Sequence, residues 1–88
     1  MDHADFQIDF DAPASLRKWP SLKNQRLTGA CPYSLIDDTL DACIKQFMTK
    51  PASQHHLYEI YTAPQPPLVS AVLSAELVVE LARLREFL

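Results

Sequence analysis

Residues 55–88 read HHLYEIYTAPQPPLVSAVLSAELVVELARLREFL, and this stretch decides the fold. From His55 to Thr62, aromatic and aliphatic residues surround a single charge, Glu59, a composition that favours a strand. Alternation divides it into Leu57, Glu59, Tyr61 on one face and Tyr58, Ile60, Thr62 on the other. The second set lacks the carboxylate and is expected to be buried. Ala63–Pro67 is a proline-stiffened connection, too long for a two-residue hairpin turn. Leu68–Leu73 is apolar except for Ser70, as expected of a central strand covered on more than one side. Ser74 then reads as an N-cap with Glu76 in the first turn. Leu77, Leu81, Leu84 and Leu88 recur at steps of four, three and four, which predicts an inward stripe with Val79, Arg83 and Glu86 opposite.

Working towards the N-terminus, Ser34 reads as the cap of another helix, with Asp37 and Asp38 in its first turn and Lys50-Pro51 ending it. Ile36, Leu40, Cys43 and Phe47 form its apolar stripe, with Ile44 beside them. Asp41 precedes Lys45 by four, the favourable order for a helical ion pair. Residues 12–33 are ambiguous. Pro13 is able to open a short helix that places Leu16 and Trp19 on one face and stops at Pro20. A short strand around Arg26-Leu27-Thr28 is the other reading. In residues 5–11, Phe6, Ile8 and Phe10 alternate with polar neighbours and predict a strand.

The expected order is β, short α or loop, α, β, β, α, within one domain spanning 1–88. Such an order predicts an α+β two-layer sandwich. Its sheet has three or four mostly antiparallel strands, and its two main amphipathic helices lie on one face. A mixed sheet is the lesser alternative, with the middle helix as a crossover.

Composition excludes several functions. The chain has 88 residues, 48% of them hydrophobic and 22% charged, with a formal net charge of −3. A mildly acidic chain has no global attraction to nucleic acid or anionic membrane. The single glycine, Gly29, excludes Walker and dinucleotide loops, which need several at fixed spacing. No apolar run approaches the roughly 20 residues of a membrane span. The N-terminus lacks a secretory pattern, and two cysteines suit a reducing compartment, so a cytoplasmic, bacterial setting is expected.

No residue set carries specific chemistry. Asp37-Asp38-Thr39-Leu40-Asp41 matches DDxxD, but the aspartates fan over the polar side of the expected helix. Cys31, Cys43, His55 and His56 lack zinc spacing. No base is placed beside Cys31. No cofactor and no catalytic or metal residue is therefore expected.

The remaining feature is a basic cluster, Arg17, Lys18, Lys23 and Arg26 around Trp19. It follows an acidic segment holding Asp2, Asp5, Asp9 and Asp11. The favoured reading folds this cluster back over its own acidic strand and the aspartate-rich helix, with Trp19 closing the core edge. Function is then expected to be non-enzymatic: protein interaction or regulation, through a protein partner or self-association as a homodimer. Val79 and Phe87 lie off the leucine stripe and join the candidate surface. A nucleic-acid-binding module using residues 17–26 is the alternative. A small enzyme assembled from Cys31, His55, His56 and Glu59 is the second.

Overall fold

A computed structural model of the chain describes residues 8–66 and 69–86. Six strands occur in them: β1 Pro13–Lys18, β2 Ser21–Leu22, β3 Gln25–Arg26, β4 Tyr33–Thr39, β5 Tyr58–Thr62 and β6 Val72–Leu73. Two α-helices, α1 Leu40–Met48 and α2 Ala75–Glu86, and a 3-10 helix, Ala52–Leu57, complete them. The main sheet has the order β4-β1-β5-β6, with every pair antiparallel, and β2 and β3 form a separate hairpin. The α+β class therefore holds, and the mixed-sheet alternative does not.

β1 occupies the centre because its inward residues, Ala14 and Leu16, are small or aliphatic and buried. They lie beside Ile60 and Tyr58 of β5 in one cluster with Leu40, Cys43, Ile44 and Phe47 of α1 and Val78 and Leu81 of α2. Burying a Leu, Ile or Phe side chain contributes about 1.5–3 kcal/mol, so this shared layer holds both helices on one face. Tyr58 and Ile60 of β5 are buried as the alternation predicts and Thr62 partly so, but the strand starts at Tyr58 rather than His55, because Ala52–Leu57 winds into the 3-10 helix and turns Leu57, expected to face outwards, into the core.

Several local expectations are overturned. The short helix at Pro13 is β1 instead. Its backbone is claimed on both sides, by β4 and by β5, and six residues gain more from two ladders than from an isolated helical turn. The extra strand in this region starts earlier than Arg26–Thr28, in a hairpin whose loop residues Lys23 and Asn24 both have positive φ. The helix capped at Ser34 starts later. Tyr33–Thr39 is an edge strand, and Thr39 caps α1 through a 3.1 Å bond from the Ala42 amide to its hydroxyl. The rest of the α1 stripe is buried as expected, and Lys45 reaches Asp41 at 3.2 Å.

The strand expected at residues 5–11 lies outside the described residues up to Gln7. Ile8–Asp11 is coil and turn, because the Asp9 carboxylate accepts the Asp11 amide and the Asp9 carbonyl the Ala12 amide. Leu68 also lies outside the described residues. The strand expected there shortens to Val72–Leu73 at the sheet edge, after a bridge between Gln65 and Val69, so it is not central. In α2 the inward face is turned by about one residue: Val78 is 0% exposed, whereas Leu77 and Leu84 are 39% and 37% exposed. Val79 packs partly against the core.

Candidate functional site

The strand register of β1 sets two chemically distinct ends. At its start, Pro13, Ala14 and Ser15 face Thr39, Asp38 and Asp37 of β4, and Asp11 precedes them by two residues. At its finish, Lys18 faces Tyr33 on one side and Tyr58 on the other. The β2–β3 hairpin follows at once. It is tied to the 3-10 helix, since the Asn24 amide donates to the Ser53 carbonyl at 3.0 Å and Arg26 Nε to the His56 carbonyl at 2.7 Å. Lys50 also belongs to this end, with its ammonium 5.7 Å from the Tyr58 ring centre and that of Lys18 at 5.8 Å.

Charge is thus segregated along β1. Asp9, Asp11, Asp37 and Asp38 are exposed at one end, and among the described residues none of them makes an ion pair. Lys18, Lys23 and Lys50, likewise without ion pairs among the described residues, gather with Arg26 at the other. The basic segment does not fold back over Asp9 and Asp11 or over Asp37 and Asp38 of β4: β1 runs extended between the two ends and holds them apart, and Asp41 of α1 is taken by Lys45 and Arg85; Asp2 and Asp5 lie outside the described residues. Arg26 instead pairs with Glu59 at 3.7 Å and covers the Trp19 ring at 4.9 Å. Trp19 is anchored by its backbone amide on the Leu57 carbonyl at 2.8 Å, outside the main core cluster.

The basic end also exposes apolar side chains. Leu22 is 65% exposed, Leu27 41% and Tyr33 46%, interleaved with Lys18, Lys23 and Arg26 in sequence or register. Lys50, Leu22, Leu27 and Tyr33 were not picked out by sequence. Only Leu22 and Leu27 carried a trace there, as isolated apolar residues in a polar loop.

Arg17 points the other way from Lys18, onto the sheet face that no helix among the described residues covers. There it lies 4.5 Å above the Tyr61 ring and donates to the Ser15 hydroxyl at 3.3 Å. Ser15 meets the Ser34 hydroxyl at 3.2 Å. Burial pushes the Tyr61 phenol up, and the Glu59 carboxylate at 3.4 Å adds to the shift. These side chains bind one another across the open sheet face. Val79 sits on α2, apart from this cluster, and Phe87 lies outside the described residues.

Of the residues weighed for catalysis, Glu59 and Cys31 both bear on the Tyr61 phenol, whereas the two histidines are engaged elsewhere. His55 and His56 direct Nε2 to the Lys50 and Asn24 carbonyls, at 3.0 and 2.6 Å; carbonyls only accept, so both nitrogens donate. The His55 ring also rests on Phe47, 4.3 Å between centres. Cys31 is exposed, and among the described residues no histidine bonds to it. Cys43 is buried in the core, and burial pushes its thiol up to about 11. Among the described residues no group of three or more His, Cys, Asp or Glu is placed to hold a metal, and no helix is long and apolar enough to cross a membrane. Set against protein-family models, curated proteins and solved structures, the chain matches none.

Proposed function

We propose that this chain is a non-enzymatic interaction domain whose basic end receives an acidic, leucine-containing segment of a protein partner. The observation that supports this reading is the coexistence, at one end of β1, of exposed apolar side chains with lysines that have no ion-pair partner among the described residues. A phosphate backbone uses the cations but not Leu22 or Leu27, whereas an acidic amphipathic peptide uses both. The aromatic and arginine content of the same end, Trp19, Tyr33 and Arg26, is of the kind that concentrates binding energy at protein interfaces. Trp19 is a poor base-stacking platform with Arg26 already on its ring, and the acidic far end repels a polyanion.

The test is affinity capture from native lysate, with and without nuclease. The lysate is compared across the wild-type chain, a Lys18→Glu/Lys23→Glu/Lys50→Glu variant and a Leu22→Asp variant. The reading expects a protein retained after nuclease, released by salt, and lost from both variants. Capture that disappears with nuclease supports the nucleic-acid alternative instead. Capture indifferent to both variants overturns the basic end as the contact surface.

A further inference from the structure

We infer that the open face of the main sheet binds a free α-amino acid with an apolar side chain. The surface there is a trough of about 600 Å³ whose lining includes Pro13 and Ser15 of β1, Asp37 and Asp38 of β4, and Tyr61 and Ala63 at the end of β5. The register sets Ser15 between Asp37 on one side and Tyr61 on the other. Arg17 stands beside the trough, its guanidinium 4.5 Å over the Tyr61 ring and its Nε donating to the Ser15 hydroxyl at 3.3 Å.

The charges of this face select the ligand. The Ser34 hydroxyl donates to Asp37 Oδ2 at 3.4 Å. Its proton is thereby committed, so Ser15 donates to Ser34 at 3.2 Å and accepts from Arg17. A polarised chain of two hydroxyls thus runs from a guanidinium to a carboxylate, and Ser15, 8% exposed, fixes its middle. Neither Arg17 nor Asp37 has an ion-pair partner among the described residues. Glu59, opposite Arg17 in register, is engaged by Arg26 and by the Tyr61 phenol. Laid on the Tyr61 ring by its face, the guanidinium keeps its Nη donors at its edge, where a carboxylate takes two of them. Asp37 Oδ1, without a hydrogen-bond partner among the described residues, accepts from an ammonium. The ligand therefore carries an anion and a cation side by side, spaced much as the two hydroxyls it spans. A free α-amino acid holds that pair on one carbon, whereas a peptide terminus holds only one of the two. Pro13, Ala63 and the Tyr61 ring give its side chain apolar contact, and Asp38 repels an acidic one. The site uses no residue of the basic end and stands independently of the reading proposed for it.

Amide chemical shifts of the full chain, followed as leucine is added, test the inference. Saturable shifts are expected at Ser15, Ser34, Asp37 and Tyr61. N-acetylleucine lacks the ammonium, leucinamide lacks the carboxylate, and glutamate carries a second negative charge. Each is expected to bind at least about tenfold more weakly than leucine. Arg17→Gln and Asp37→Asn remove one charge each and are expected to weaken leucine binding by at least as much, with circular dichroism unchanged. If either variant fails to fold, the comparison of leucine with its analogues on the wild type decides alone. Three results overturn the inference. One is a wild type that shows no saturable shift with leucine up to about 10 mM. Another is any of the three analogues binding as tightly as leucine. The third is a folded Arg17→Gln or Asp37→Asn chain that binds leucine as the wild type does.

Discussion

Arg85, in the last turn of α2, closes on Asp41, in the first turn of α1. Its Nε pairs with one carboxylate oxygen and its Nη2 donates to the other at 3.2 Å. Lys45 adds a third contact at 3.2 Å. Burial pushes the Asp41 carboxyl up, but the bonds from Arg85 and Lys45 outweigh it and hold the group below its usual 3.8.

Replacing Arg85 with Ala is therefore expected to cost about 1 kcal/mol at neutral pH, the pair being half-exposed. Asp41→Ala/Arg85→Ala should cost less than the sum of the two single changes. The sign with pH follows from the lowered folded value. The pair's contribution is complete above the unfolded carboxylate range and is lost as pH falls through the folded value. Urea denaturation of wild type and Arg85→Ala should thus begin to converge as pH falls below about 4, the unfolded value for an aspartate, and meet only below the lower folded value. A stability difference that persists undiminished at pH 2 argues against this electrostatic account.

Leu16 lies at the centre of β1, between Ile36 of β4 and Ile60 of β5, and is 1% exposed. Leu16→Ala leaves a void that two hydrogen-bonded neighbours hold open, so a loss of about 2–5 kcal/mol is expected. In a chain of this size such a loss is a large share of total stability. Calorimetry should show a melting temperature lower by ten degrees or more, or no cooperative transition. Leu22→Ala, at the exposed hairpin, should shift it little.

The class was legible in the sequence because the apolar residues of β5 and α1 repeat with the right periods. The register of elements was not, for identifiable reasons. Ile36 and Leu40 are four apart and both point at the core, which imitates one helical face, yet Ile36 does so from a strand and Leu40 from the first turn of a helix. Asp38 looks like a dipole partner at a helix start, but it bonds the Thr39 amide one residue on, at 2.8 Å. In α2 the rows Leu77-Leu81-Leu84 and Val78-Leu81-Ala82 share Leu81 and differ by about 100°. Periodicity alone does not choose between them; contact with α1 and β5 does. The basic cluster was visible as composition. Its placement was not, because whether it meets the acidic segment depends on Pro13–Lys18 being extended rather than helical.

Cys43 supplies a test of the core from its chemistry. Its thiol is buried between α1 and the sheet and titrates near 11, above the unfolded value of about 8.5. Above the unfolded value the unfolded chain sheds this proton while the folded chain keeps it. Stability should therefore decline as pH rises from about 8.5 towards 11, by on the order of 3 kcal/mol from this group. Cys43→Ala should flatten that decline. A thiol reagent at pH 8 should modify Cys31 within the mixing time of an ordinary assay and Cys43 only as the protein unfolds. Equal rates at both sites would contradict the packing of α1 on β1.

The hairpin that presents Leu22 and Lys23 turns through two non-glycine residues, Lys23 at φ 53° and Asn24 at φ 62°. This is the geometry of a tight two-residue hairpin, in which asparagine is tolerated and lysine is not favoured. Lys23→Asn should relieve part of the strain and stabilise the chain by up to about 1 kcal/mol, while Lys23→Val, branched at Cβ, should destabilise it by a similar amount. Asn24 differs, because its side-chain amide also holds the Ser53 carbonyl. Asn24→Gly gains backbone freedom and loses that bond, so the net change should be within about 0.5 kcal/mol. Thermal denaturation reads the order Lys23→Asn above wild type above Lys23→Val. Protection of the Arg26 amide from exchange should follow the same order, since its ladder with Ser21 opens with the turn. A reversed order would mean that the hairpin does not adopt this turn.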